Sequence, residues 1–221
     1  MAKRGVVIEF DFTALNGAEL LFDTARRFLQ GLDGIALDEK TEAKYLAGAA
    51  YQDGLGRLFA VVKTKKTAQK AARDLAAAFS AAVTAAVPSA LGASFKNFVR
   101  ALTDKDIKVV LLTRADLTAV APIFESAFGP QVVLHQEASD GYGVAKWDSW
   151  RRACRMGGLS HLATVAVTGS GFGVKSALVA GMASVGVVND HVAYQDFGGA
   201  DDVLNELSGK TAKRLLSRLG L

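Results

Sequence analysis

Two carboxylates stand two residues apart near the start of the chain, in Val6-Val7-Ile8-Glu9-Phe10-Asp11-Phe12-Thr13. In a strand, residues two apart point to one side. A carboxylate pair there can share a cation or a proton; the plainer alternative is that one of them caps the next helix. Farther on, the apolar run Val109 to Leu112 ends in Thr113. A hydroxyl at a strand end can donate to an anion, and the following helix N-terminus adds free N–H groups. Here too a plain N-cap, Thr113 or Asp116, is the alternative. Lys146 follows the run Ser139 to Gly143 and could set a point charge against a phosphate, or could simply be solvated. The last stretch is Thr168-Gly169-Ser170-Gly171-Phe172-Gly173, after another apolar run. Such a loop can present N–H groups to an anion. It is not a nucleotide P-loop, because Val174 separates Gly173 from Lys175, and it lacks the third glycine of a dinucleotide fingerprint.

These four stretches need a scaffold that brings them together. Val6–Phe10, Lys108–Leu112, Val132–His135, Leu162–Val167 and Ala183–Val188 read as strands. Phe95–Leu102, Leu117–Phe128, Trp147–Met156, Gly173–Met182 and the tail from Asp201 to Leu219 read as helices. Alternating strands and helices predict a Rossmann-like α/β core with a parallel sheet, whose ligands sit beyond the C-terminal strand ends. Residues 14–87 read differently. Ala18, Leu21, Phe22, Ala25, Phe28 and Leu29, then Ala68 to Ala82, recur at helical spacing, with breaks expected near Gly31–Gly34, Gly54–Gly56 and Pro88–Gly92. The expected organisation is a core of 1–13 and 88–221 with an inserted α-helical cap of 14–87.

In this order, the four stretches resemble the motifs of the haloacid dehalogenase superfamily, in its phosphatase-like branch. That family carries Asp-x-Asp-x-Thr after strand one, where this chain has Glu9-Phe10-Asp11-Phe12-Thr13. Its second motif is an apolar strand ending in Thr or Ser, as at Thr113. Its third is a lysine before a helix, as at Lys146. The run from Ser170 through Gly173-Val174 and Ala177 to Ala180-Gly181-Met182 matches the stretch after its fourth motif. The resemblance implies catalytic roles for Glu9, Asp11, Thr113 and Lys146. It implies a phosphate-binding set of Thr13, Thr113, Arg114, Lys146 and Ser170. Mg²⁺ is the implied cofactor, with Glu9 and Asp11 as its remaining ligands.

The chain departs from the family at two places. Glu9 stands where the nucleophilic Asp is found, and one extra methylene moves a carboxylate by roughly 1.5 Å. A misplacement of about 1 Å can cost about a hundredfold in rate. Thr168 and Gly169 replace the acidic pair that holds Mg²⁺ in the family, and the fallback acid position falls on Gly173. The resulting expectation is a hydrolase-fold protein with a degenerate site that keeps at most phosphate or phosphoester binding. The alternative is an active Mg²⁺-dependent phosphatase, similar to phosphoglycolate phosphatases, that acts on a small phosphorylated metabolite through Glu9 and Asp11.

Composition narrows the field. The 221 residues carry a formal charge of +4, one cysteine and three scattered histidines. That excludes an intrachain disulfide and any helix-borne His-x-x-x-His metal site. No uninterrupted apolar stretch of about 18 residues appears, so no membrane partner is expected, and a cytoplasmic location is. Basic clusters at Lys63–Arg73, Arg151–Arg155 and Lys210–Arg218 read as solvated helix faces, which argues against nucleic acid. The expected partner is a small phosphorylated molecule or an inorganic anion, and a homodimer is left open.

Overall fold

The computed structural model describes residues 4–137, 143–192 and 194–218. Strand β1 (Gly5–Glu9) runs into a single helical turn, α1 (Phe10–Thr13). Four helices follow: α2 (Gly17–Asp33), α3 (Glu39–Tyr45), α4 (Tyr51–Val62) and α5 (Ala68–Ala90). Next come α6 (Ala93–Thr103), β2 (Lys108–Thr113), α7 (Leu117–Phe128), β3 (Val132–Gln136), α8 (Trp147–Met156) and β4 (Thr164–Thr168). The chain ends with α9 (Gly171–Val179), β5 (Ala183–Val187), β6 (Asp202–Leu204) and α10 (Gly209–Arg218).

The strands form one parallel sheet in the order β3-β2-β1-β4-β5-β6. Their Val- and Leu-rich sequences suit a sheet covered on both faces. Val6, Ile8, Val109, Leu111, Val165 and Val167 pack on one face with α6, α7 and α10. Val7, Val110, Leu112 and Ala166 pack on the other with Trp150 and Ala153 of α8 and Ala177 of α9. The chain reverses direction across the sheet at β1, between β2 and β4. Register sets Glu9 beside Leu112 and Ile8 beside Val167. Thr113 and Thr168 therefore flank the C-terminal end of β1, which is where such sheets bind ligands.

The helices between β1 and α6 have an apolar cluster of their own, built from Leu29, Leu55, Leu58, Leu75 and their neighbours. α5 belongs to both clusters: Leu75 packs in the helical lobe, and Phe79, Val83 and Val87 pack against the sheet. α2 stops at Gly34 (φ +64), where Gly34 N–H donates to Gln30 and Ile35 N–H to Leu29. That pair of hydrogen bonds at a left-handed glycine ends the helix where the sequence predicts a break.

One expected break is absent, one falls at the end of its expected range, and one expected helix is displaced. Gly54 and Gly56 lie inside α4. A Cβ on Gly54 would overlap the Tyr45 carbonyl, so this glycine permits close helix approach rather than a turn. Pro88 lies inside the last turn of α5 and removes one bond, to the Thr84 carbonyl; the break expected at Pro88–Gly92 follows at Leu91–Gly92, between α5 and α6. The tail does not begin as a helix at Asp201. Asp202–Leu204 pairs with β5, which buries Leu204, and the helix starts only at Gly209.

No single described helix is long and apolar enough to cross a membrane; α5 and α6 would be together, but they meet at 83°.

Candidate functional site

At the end of β1, Glu9 and Asp11 are both fully buried. Glu9 Oε1 accepts from the Ala145 N–H at 2.7 Å and from Arg114 Nη2 at 3.2 Å. Its Oε2 accepts from the Thr168 hydroxyl at 2.5 Å. Asp11 Oδ1 accepts from the Thr113 hydroxyl at 2.6 Å. Its Oδ2 takes both the Arg114 N–H at 2.7 Å and Arg114 Nη1 at 3.2 Å.

Arg114 is thus the centre of the cluster. Its guanidinium, 5% exposed, bridges the two carboxylates, one nitrogen to each. A planar fork with two terminal nitrogens suits this geometry in a way that a lysine would not. Arg114 follows β2 directly, so the strand end aims it across the mouth of β1. Its charge answers the two acids: burial opposes it, and Glu9 and Asp11 together outweigh the burial and hold it above its ordinary range. Burial pushes the Asp11 carboxyl up, while Arg114 and Thr113 pull it back.

The other expected anion-binding groups are brought to the same end of the sheet. Each has an intramolecular partner. Thr13 Oγ1 donates to the Glu9 carbonyl. Thr113 also accepts from the Ala115 N–H. Ser170 caps α9 by accepting from the Gly173 N–H. Lys146 precedes α8, and its Nζ donates to the Gly48 carbonyl of the helical lobe at 2.8 Å. Burial lowers the Lys146 ammonium, and Glu9 acts in the opposite sense. Of the Ser139 to Gly143 run, only Gly143 lies within the described residues. His135 sits on the edge strand β3, held below its ordinary value by burial and by Arg152.

The backbone explains the glycines at the acid positions. A Cβ on Gly169 would overlap the Phe12 carbonyl, and a Cβ on Gly173 would overlap the Thr168 hydroxyl. Neither position has room for any side chain while α1 and Thr168 stay where they are. Among the described residues, no group of three or more His, Cys, Asp or Glu is arranged to hold a metal ion.

The helical lobe touches the core around the site at several points. Tyr51, at the start of α4, is buried, and its phenol is pushed up mainly by burial. Gly48 lies against the Phe172 ring. Glu42 of α3 pairs with His191 beyond β5 at 3.3 Å. One pocket between lobe and core, lined by Leu46, Gly48, Gly143, Ser170 and Phe172 among others, holds about 20 Å³, which is room for about one water. A second, between Glu39 and Glu42 of α3 and the core residues Asp190, His191 and Tyr194, holds about 390 Å³.

The contact of Gly48 with Phe172 gives a test. Gly48 has φ +68, and a Cβ there would stand 2.5 Å from Phe172 Cδ1. Gly48→Ala should destabilise the chain by about 1–3 kcal/mol in urea unfolding. The added substitution Phe172→Ala should recover the steric part and leave the backbone strain. If Gly48→Ala is neutral, the lobe does not rest on Phe172 as described.

No protein-family model matches the sequence, and no curated protein sequence matches it. Solved structures do. One is β-phosphoglucomutase from Clostridium difficile, with 13% identity and a TM-score of 0.66 over 99% of this chain and 97% of that one. Another is CbbY from Rhodobacter sphaeroides in complex with phosphate, with 16% identity and a TM-score of 0.66 over 94% and 95%. A third is a HAD hydrolase of family IA, variant 3, from Entamoeba histolytica, with 14% identity and a TM-score of 0.69 over 99% and 100%. The chain has the haloacid dehalogenase fold. The likeness extends over nearly the full length of both partners, so it takes in the helical lobe as well as the sheet.

Within that fold, sequence reasoning found Glu9, Asp11, Thr113, Lys146, Thr168 and Ser170 as a cluster. It grouped Arg114 with the phosphate-binding residues and missed its two-carboxylate bridge. The available signal was an arginine next to a strand-ending threonine, in a chain with two acids at the neighbouring strand end. Tyr51 of α4 reaches this site as well, near enough for its phenol to feel the charges of Arg114 and Asp11.

Proposed function

We propose that this protein uses the haloacid dehalogenase fold without its hydrolytic chemistry. Residues 14–87 act as a cap that stays closed over a self-neutralised centre, and the protein serves as a binding or regulatory module. The observation that carries this reading is the Arg114 guanidinium between Glu9 and Asp11.

Mg²⁺ requires near-octahedral oxygen ligands and is usually held through carboxylates and substrate phosphate. The donor set here does not fit it. The two carboxylates already take a cation and four further hydrogen bonds. The positions that would bring a third acid have no space for a Cβ. Phosphate binding fares no better in this arrangement, because Thr113 and Lys146 are engaged and the pocket that Ser170 lines holds only about 20 Å³. A carboxylate nucleophile must be free to approach phosphorus; Glu9 has both oxygens bonded.

Isothermal titration calorimetry with Mg²⁺, alone and with vanadate, tests the reading. No saturable heat is expected at millimolar Mg²⁺ in either case. Mg²⁺ binding that tightens when vanadate is added would overturn it and favour the active phosphatase.

A further inference from the structure

One of the three basic clusters carries more net charge than the whole chain. Residues 57–74 contain Arg57, Lys63, Lys65, Lys66, Lys70 and Arg73 against the single acid Asp74, a net of +5. The whole chain is at +4, so the rest of it is at −1. The fold gathers this segment at one place. α4 begins at Tyr51 over the buried site and ends at Val62, and α5 begins at Ala68. At about 1.5 Å per residue, the turn between them lies roughly 16 Å from the site end of α4. The end of α2 meets the same turn, since the Thr64 hydroxyl bonds Asp33. The lysines therefore crown the tip of the helical lobe, far from Glu9 and Arg114.

Local pairing does not consume this charge. Lys70 pairs with Asp74 at 2.5 Å. Lys63, Lys65, Lys66 and Arg73 are exposed and have no ion-pair partner among the described residues. The first turn of α5 contains no acid, and its N-cap Thr67 makes no side-chain cap bond, so the helix end adds positive potential to the tip. Beside the lysines, Val61 and Val62 are 61% and 42% exposed. They are two of the ten large apolar side chains exposed among the described residues.

We infer that the tip of the helical lobe is a docking surface for an anionic lipid bilayer. Exposed valines next to exposed lysines, at the turn between two helices, match a flat negative surface with an apolar interior. Nucleic acid is the other polyanion to weigh. Single-strand binding relies on aromatic side chains that stack on bases, and residues 60–74 contain none. The absence of a membrane-spanning segment does not bear on this, because a surface contact needs no span. Nor does the inference rest on the state of the Glu9–Arg114 cluster.

Vesicle co-sedimentation of the full chain tests it. Phosphatidylcholine vesicles with about 40% phosphatidylserine should bind at about 50 mM salt, and vesicles of phosphatidylcholine alone should not. Binding should weaken steeply at about 300 mM salt. The triple variant Lys63→Glu/Lys65→Glu/Lys66→Glu should lose about a hundredfold or more in affinity. A charge-matched control at exposed lysines elsewhere, Lys105→Glu/Lys210→Glu/Lys213→Glu, should lose far less. Val61→Ser/Val62→Ser should weaken binding several-fold without changing its salt dependence. Failure of the parent to bind at low salt would overturn the inference. So would equal losses in the two triple variants, or no effect of the valine pair. Tighter binding to a DNA oligonucleotide than to vesicles would overturn it in favour of nucleic acid.

Discussion

Replacing Arg114 by methionine is expected to cost the fold about 3–5 kcal/mol, because it leaves two fully buried carboxylates without their cation. The effect should depend on pH. Asp11 is already held above its ordinary value of 3.8 by burial, with Arg114 acting against that rise. Without the guanidinium it rises further. A carboxyl whose folded value is raised binds its proton more tightly folded than unfolded. Its contribution is favourable below about 3.8 and is lost as pH rises through the raised value. The variant should therefore lie closest to the parent in acid and fall away from it toward neutral pH. Urea unfolding at about pH 5 and pH 7.5 reads both the size and the trend. Adding Glu9→Gln and Asp11→Asn to Arg114→Met should restore much of the loss, because no buried charge then remains. A loss under about 1 kcal/mol, or one that shrinks as pH rises, would show that Arg114 does not neutralise these acids.

The second large effect is expected at Gly169. In the family that this sequence resembles, the corresponding position carries a metal-binding acid. Simple restoration should fail here, since even the first side-chain atom would overlap the Phe12 carbonyl. Gly169→Ala should cost about 3 kcal/mol or more, because the obstacle is backbone of α1 rather than a side chain that can rotate away. Gly169→Asp should be at least as damaging and should bring no Mg²⁺ affinity. A well-folded Gly169→Asp variant that binds Mg²⁺ would mean that the turn after β1 is free to move, and would weaken the case for a closed centre.

Much of this arrangement is legible in the sequence, for physical reasons that also set the limit. Buried parallel strands are near-continuous runs of Val, Ile and Leu, so β1, β2 and β4 and the polar residues at their ends can be read directly. Glu9, Asp11, Thr113 and Thr168 share one place because register in a parallel sheet aligns strand ends. β6 is harder: three residues with an acid at one end carry no periodicity, and their pairing with β5 depends on tertiary contacts. Gly54 reads as a break until the Tyr45 carbonyl is seen beside it. Arg114 is the instructive case. A basic residue after a strand-ending threonine suggests an anion ligand from outside. Only the three-dimensional placement of Glu9 and Asp11 supplies an anion from within.

In the proposed reading Arg114 takes the cation's place in this cluster, and hydrolysis is lost with the exchange. Phosphate release from a panel of small phosphomonoesters at millimolar Mg²⁺, with the parent chain and Glu9→Ala side by side, tests this most directly. No release above buffer is expected from either protein. Mg²⁺-dependent release by the parent that disappears in Glu9→Ala would contradict it.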